Sequence, residues 1–211
     1  MREKDIKIAV VSDVYGNSPV IEAVLALAKE CKYEREHTHQ VERLALRIFD
    51  QLGRLHKLGR AERFLLQCAA ILHDIGWLEG QKGHHKTALR IIMDSPVLRF
   101  NFPQRRIIGL IARYHRKSLP KEQHTYFRDL DAKDRDIVRK LSGILRVADG
   151  LDRMHQSKVK DISCRVDGKR IEMVCRSAVS LDAEFDAARD KGVLFEDVFA
   201  GKLVFEREAC R

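Results

Sequence analysis

His73 and Asp74 stand side by side directly after the apolar run from Phe64 to Leu72. An imidazole and a carboxylate at the end of a helix that must be buried are placed as a metal ion requires, rigidly and away from bulk water. His37 lies upstream and Asp149 downstream, so the order along the chain is H…HD…D. Imidazoles and carboxylates together suit divalent Mn, Fe, Co or Zn, and suit Mg less well. Asp149 falls in Arg146-Val-Ala-Asp-Gly-Leu-Asp-Arg153, and a carboxylate in that apolar setting needs a cation to offset its burial. Alone, each of these residues reads as an ordinary exposed or satisfied side chain. Together and in order they read as ligands. His85 (or His84) and His115 are further candidates and would make room for a second ion. Two ions can clamp the attacking and leaving oxygens of a phosphoryl transfer. His115 has the alternative of binding a substrate phosphate. The expected cofactor is one or two divalent ions.

Basic residues surround these positions. Asp74 and Lys117 are the expected catalytic pair, Asp74 holding metal and orienting water, Lys117 neutralising phosphate charge. Arg113, His115, Arg116, Lys117, Arg146 and Arg153 form the expected substrate-binding set, with Arg146 foremost because it lies one helical turn before Asp149. The competing expectation is that some of them are surface residues paired with acids. A net charge of +9 favours polyanionic partners. The expected partner is an anionic phosphorylated small molecule or polyphosphate. No nucleic-acid reading motif is present, so nucleic acid is not expected.

The elements that must carry these residues are helical. A helix from Pro19 to about Lys29 is expected, capped by Ser18. A second runs from about His37 to Leu52, with Val41, Leu44, Ala45, Ile48, Phe49 and Leu52 on one stripe. A third, from about Arg60 to Asp74, is nearly all apolar in its second half and belongs at a bundle centre, ended by Gly76. Further helices start at His84, Pro103 and Asp131, the last with a stripe from Ile137 to Leu151. The pattern then changes to period two on either side of Asp167-Gly168, which predicts a β-hairpin. A short helix near 182–190 and a strand from Lys202 to Phe205 follow. The fold class is therefore mainly α, a helical bundle with a small C-terminal α/β appendage. The expected division is an N-terminal strand and turn over 1–18, a helical domain over 19–156, and an α/β tail over 157–211 packed on that domain.

Forty-five per cent apolar residues can fill a core of this size. No window has the roughly 20 apolar residues of a membrane span, and no secretory leader is expected, so a cytoplasmic location is. Five dispersed cysteines without a CxxC pair fit reduced thiols.

The motifs carry a resemblance. Glu36-His-Thr-His to Leu52, Ala70-Ile-Leu-His-Asp-Ile-Gly76, Gly83-His-His-Lys86, Ile111-Ala-Arg-Tyr-His-Arg-Lys117 and Leu145 to Arg153 resemble the HD superfamily of metal-dependent phosphohydrolases. Within it they are most similar to the C-terminal HD-type domain of the exopolyphosphatase/guanosine pentaphosphate phosphatase (Ppx/GppA) family, over about Pro19 to Phe205. The resemblance implies the helical HD fold and the ligand set His37, His73, Asp74 and Asp149. It implies a substrate such as a nucleotide, a guanosine polyphosphate or polyphosphate, cleaved by metal-activated water. In that family the polyphosphate-cleaving site lies in N-terminal actin-like domains, which this chain is expected to lack. Exopolyphosphatase activity is therefore not carried over. The alternative implied is a non-catalytic polyphosphate- or alarmone-binding module, which in the family also helps to form a homodimer. The segment Ile8 to Asn17 is similar to the opening of calcineurin-like metallophosphoesterases. Tyr15 stands where their histidine would be, and the segment is expected to be structural only.

Overall fold

The computed structural model describes residues 19–210. The strand and turn expected within residues 1–18 lie outside the described residues. Helices α1 (Pro19–Glu30), α2 (Arg35–Gln51), α3 (Gly53–His56) and α4 (Arg60–Leu72) lead to a 3₁₀ turn at Ile75–Glu79. Helices α5 (His84–Asp94), α6 (Phe102–Arg113), α7 (Thr125–Arg128) and α8 (Ala132–Gly150) follow. The chain continues through β1 (Asp161–Asp167), β2 (Arg170–Ser177), α9 (Asp182–Lys191), α10 (Val193–Phe199) and β3 (Lys202–Ala209). The protein is thus mainly helical, with a small three-stranded sheet at its C-terminal end.

Apolar spacing explains the bundle. Val41, Leu44, Ala45, Ile48, Phe49 and Leu52 are all buried, so α2 presents one full stripe to the core. In α4 every residue from Cys68 to Leu72 is buried, which puts this helix among its neighbours rather than on their surface. α8 buries the stripe from Ile137 to Val147, and Asp131 caps its start by accepting from the Asp134 amide. Asn101 caps α6 in the same way, with Gln104 reaching back to complete the box.

Strands β1 and β2 form an antiparallel hairpin in which Asp167 faces Arg170, and Gly168 takes the positive φ of 54° that the tight turn needs. β3 lies parallel to β2, and the crossover between them is made by α9 and α10. The sheet and its crossover pack on the bundle. Gln40 and Arg43 of α2 donate to the Val159 carbonyl, and Gln51 donates to that of Ile162. α9 crosses α8 at Gly150, where a Cβ would sit 2.5 Å from the Ala188 Cα, so only glycine permits this approach. No helix among the described residues is long and apolar enough to cross a membrane.

Candidate metal centre

The bundle gathers five helix ends in one place: the starts of α2 and α5 and the ends of α4, α6 and α8. His37 is the third residue of α2, His73 ends α4, His84 begins α5, His115 follows α6 by two, and Asp149 is next to last in α8. Asp74 stands at the middle, in the turn after α4. Three of the five ends are helix C-termini, whose partial negative charge favours a cation.

Asp74 faces four imidazoles. Its Oδ1 lies 3.2 Å from His84 Nε2 and 3.4 Å from His115 Nε2. Its Oδ2 lies 3.5 Å from His73 Nε2 and 3.9 Å from His37 Nε2. Asp149 Oδ1 is 3.6 Å from His37 Nε2. Two groups able to hold a metal ion result, His37–His73–Asp74 and Asp74–His84–His115, sharing Asp74. The triangle formed by Asp74 Oδ1 and the Nε2 atoms of His84 and His115 has sides of 3.2, 3.4 and 3.4 Å. Such a triangle has a point roughly 2 Å from every corner, the bond length of an ion to imidazole nitrogen or carboxylate oxygen.

Proton positions favour a cation there. His73 Nδ1 donates to the Ala70 carbonyl at 2.7 Å, His115 Nδ1 to that of Ala112 at 2.6 Å, and His84 Nδ1 to that of Gln81 at 3.1 Å. With a proton held on Nδ1, each ring has its Nε2 turned toward Asp74, where it can offer a lone pair to a cation. The Nε2 atoms of His37 and His73 and Oδ1 of Asp74 are buried without a hydrogen-bond partner. Lone pairs converging on a buried carboxylate are unfavourable unless a cation sits among them. The donor set therefore fits a divalent ion at each group.

His37 is oriented differently. Its Nδ1 donates to Asp152 Oδ2 at 2.9 Å, and Asp152 Oδ1 accepts from the Ser157 amide at 2.8 Å. This carboxylate–imidazole pairing fixes the ring and raises its basicity. The His155 ring stacks on His37 at 3.7 Å between centroids, and His155 is itself held by Glu34 through a 2.6 Å hydrogen bond. Burial opposes a charge on His37, but the Asp149 carboxylate 3.6 Å away and the hydrogen bond to Asp152 outweigh that and raise its pKa to about 10. Burial lowers His115 to about 3. Burial also works against the Asp74 charge, yet His73, His84 and His115 keep its carboxyl well below the usual range. Asp149 is likewise held low, by the Lys191 ammonium above all.

A cleft of about 850 Å³ opens onto the cluster, with Asp74, His115 and Asp149 in its floor. Arg116, Lys117, Arg153 and Lys191 line it with positive charge, and Trp77 stacks on His84 at 4.9 Å. Lys117 is exposed and takes a left-handed φ of 57°, which turns the chain just after His115. Arg116 Nη1 comes within 3.3 Å of His84 Nε2.

Three expected residues are placed elsewhere. His84, not His85, joins the cluster; the His85 ring is set at right angles to that of His84, 6.0 Å away between centroids, and burial lowers its pKa to about 4. Successive helical residues point about 100° apart, so only one of the pair can face Asp74. Arg146 is buried and does not line the cleft. Its Nε donates to the Lys191 carbonyl at 2.8 Å and its Nη1 to that of Tyr114 at 3.0 Å, so it braces the ends of α9 and α6. Arg113 lines a separate pocket between α5 and α6, its guanidinium near the Tyr114 ring. Sequence reasoning passed over Asp152 and Lys191. Lys191 Nζ donates to Asp149 Oδ2, leaving Oδ1 toward His37. The motif Asp149-Gly-Leu-Asp152 carried a signal for Asp152, a second acid three residues on, but none for its partner.

The family model for Ppx/GppA phosphatase, domain III, matches residues 21–188. That span holds every imidazole and carboxylate of the cluster and most of the chain, and the chain belongs to this family.

Proposed function

We propose that the chain is an HD-type metal-dependent phosphohydrolase, in which the two groups that contain Asp74 would each hold a divalent ion. The observation that carries this reading is the central position of Asp74, with two imidazoles opposite each of its oxygens. His37, His73 and Asp149 would hold one ion with it, and His84 and His115 the other. When bound, such ions polarise a phosphoryl oxygen and lower the pKa of water so that a nucleophile exists at neutral pH.

The chain's own residues do the rest. Asp74 would help to hold the ions. Lys191 grips the outer oxygen of Asp149, which fixes that ligand and keeps an ammonium at the cleft wall. Lys117, Arg116 and Arg153 supply the charge that binds phosphate oxygens and steadies the negative charge growing on a leaving group. The substrate is a phosphate ester or anhydride: a nucleotide, a guanosine polyphosphate or a polyphosphate-like chain, for which the cleft has room.

Metal content and phosphate release together test the reading. Elemental analysis after Mn²⁺ loading should give two ions per chain, and nucleotides, guanosine polyphosphates and polyphosphate should be screened for released phosphate. Asp74→Asn should lose both ions and all turnover. A protein that takes up no metal sinks the proposal. One that binds metal yet cleaves nothing would be a polyphosphate- or alarmone-binding module instead.

A further inference from the structure

A second pocket, about 480 Å³ in volume, lies between α5, α6 and the start of α7 and shares no lining residue with the metal cleft. Its floor is apolar: Leu89 and Leu110 are buried and Met93 is half-buried. Its rim carries Lys86, Arg113 and the exposed ring of Tyr126. Among the described residues neither Lys86 nor Arg113 has a carboxylate in ion-pair contact. Arg90, also at the rim, is already engaged by Glu79, and Asp94 is the one carboxylate in the lining. His124 closes the wall, its Nδ1 bonded to the Tyr114 hydroxyl at 2.8 Å. Burial lowers its pKa, and the charges of Arg113, Lys121 and Lys86 lower it further.

We propose that this pocket binds a small organic anion: a phosphate, sulfate or carboxylate carried on an aromatic or branched apolar body. The anionic group would meet Lys86 and Arg113, and the apolar body would rest on Leu89, Met93 and Leu110 beside Tyr126. Neither half of that chemistry suffices alone. A bare anion leaves the apolar floor wet, and a neutral hydrocarbon leaves two cations without a counter-charge. The volume matches that of small-molecule sites.

The methionines provide the readout. The chain has four: Met1, Met93, Met154 and Met173. Met93 lines this pocket, Met154 lines the metal cleft, and Met173 is buried under the sheet. With ¹³C-labelled methionine methyl groups in the full chain, 2-naphthalenesulfonate should move the Met93 resonance saturably and leave Met154 and Met173 in place. Inorganic sulfate and 2-naphthylmethanol should each bind more weakly. Lys86→Gln and Arg113→Gln should each weaken the sulfonate about tenfold, the loss of one charge-assisted contact. Lys86 is exposed, so its variant folds even if that of Arg113 does not. The proposal is overturned if the sulfonate moves Met154 instead of Met93, if the neutral alcohol binds as well as the sulfonate, or if Lys86→Gln leaves the titration unchanged.

Discussion

Gly76 offers the sharpest test of how the centre is assembled. The 3₁₀ turn after Asp74 presses its backbone against the first turn of α5. A Cβ at Gly76 would stand 1.9 Å from the His84 carbonyl oxygen and 2.7 Å from the Ala88 nitrogen. Both are backbone atoms, so no side-chain rotation relieves the clash. Restoring even a tight contact requires the turn and α5 to part by about 1 Å or more. Metal ligands tolerate displacements of about 0.2 Å. His84 is the residue whose own carbonyl is struck, so its Nε2 leaves the 3.2 Å approach to Asp74 Oδ1. Gly76→Ala should therefore release the ion held by His84 and His115 and spare the one held by His37, His73 and Asp149. Elemental analysis should fall from two ions per chain to one. Overpacking of this kind costs about 1–3 kcal/mol, which for a chain of this length lowers the melting temperature by roughly 2–12 °C. Unchanged melting together with a full complement of two ions would refute the argument.

Two further outcomes follow from the same geometry. Asp152 accepts from both the His37 ring and the Ser157 amide, so Asp152→Asn sets an NH₂ group against one of two donors; metal affinity should fall about 10–100-fold, measured by competition with a chelator, and no change would show that the pairing does not orient His37. In the chelated protein, His37 has a folded pKa of about 10, above its ordinary 6.5, so its contribution to stability is complete below pH 6.5 and is lost as pH rises toward 10. His85, at about 4, and His115, at about 3, act in the opposite sense: their contribution is complete above 6.5 and is lost as pH falls. Urea denaturation of chelated protein across pH should show maximal stability near pH 6.5, and a stability that climbs steadily to pH 9 would contradict these assignments.

What could be read from the chain and what could not divide along physical lines. α2 and α8 were legible because six or more apolar residues recur on one face, and burial follows that stripe in the structure. The hairpin was legible from its turn chemistry at Gly168. The short helices α3, α7 and α10 were not, because four to seven residues hold too few periods to stand out and tertiary packing shapes them. β3 extends to Ala209, beyond the expected Phe205, because its parallel pairing with β2 continues through exposed, charged positions. The same division runs through the site. His37 lies in the first turn of α2, His73 and Asp74 directly follow α4, and Asp149 lies in the last turn of α8. Choosing between His84 and His85 needed the contact at Gly76, which no spacing reveals. Asp152 meets His37 across 115 residues and Lys191 meets Asp149 across 42, and such pairings exist only once the chain has folded. Arg146 looked functional from its distance to Asp149, but its length lets it reach two backbone carbonyls and brace the helix ends that carry His115 and Lys191.

The charge balance of the centre explains why these braces matter. Three carboxylates, Asp74, Asp149 and Asp152, converge at the end of the bundle, and Lys191 is the one basic ammonium in direct contact with them among the described residues. With neutral histidines the cluster is negative, and a negative cluster in a poorly hydrated site is costly. Without metal the protein answers with a proton, which is why His37 binds one so firmly. A divalent ion held by His37 would have to displace that proton, since a protonated imidazole has no lone pair to offer. On the proposed reading, metal uptake near neutral pH would be an exchange of cations within a fixed frame. The frame is held by groups that bind no ion themselves: Asp152 behind His37, Lys191 behind Asp149, and the backbone carbonyls of Ala70, Gln81 and Ala112 behind the other three rings.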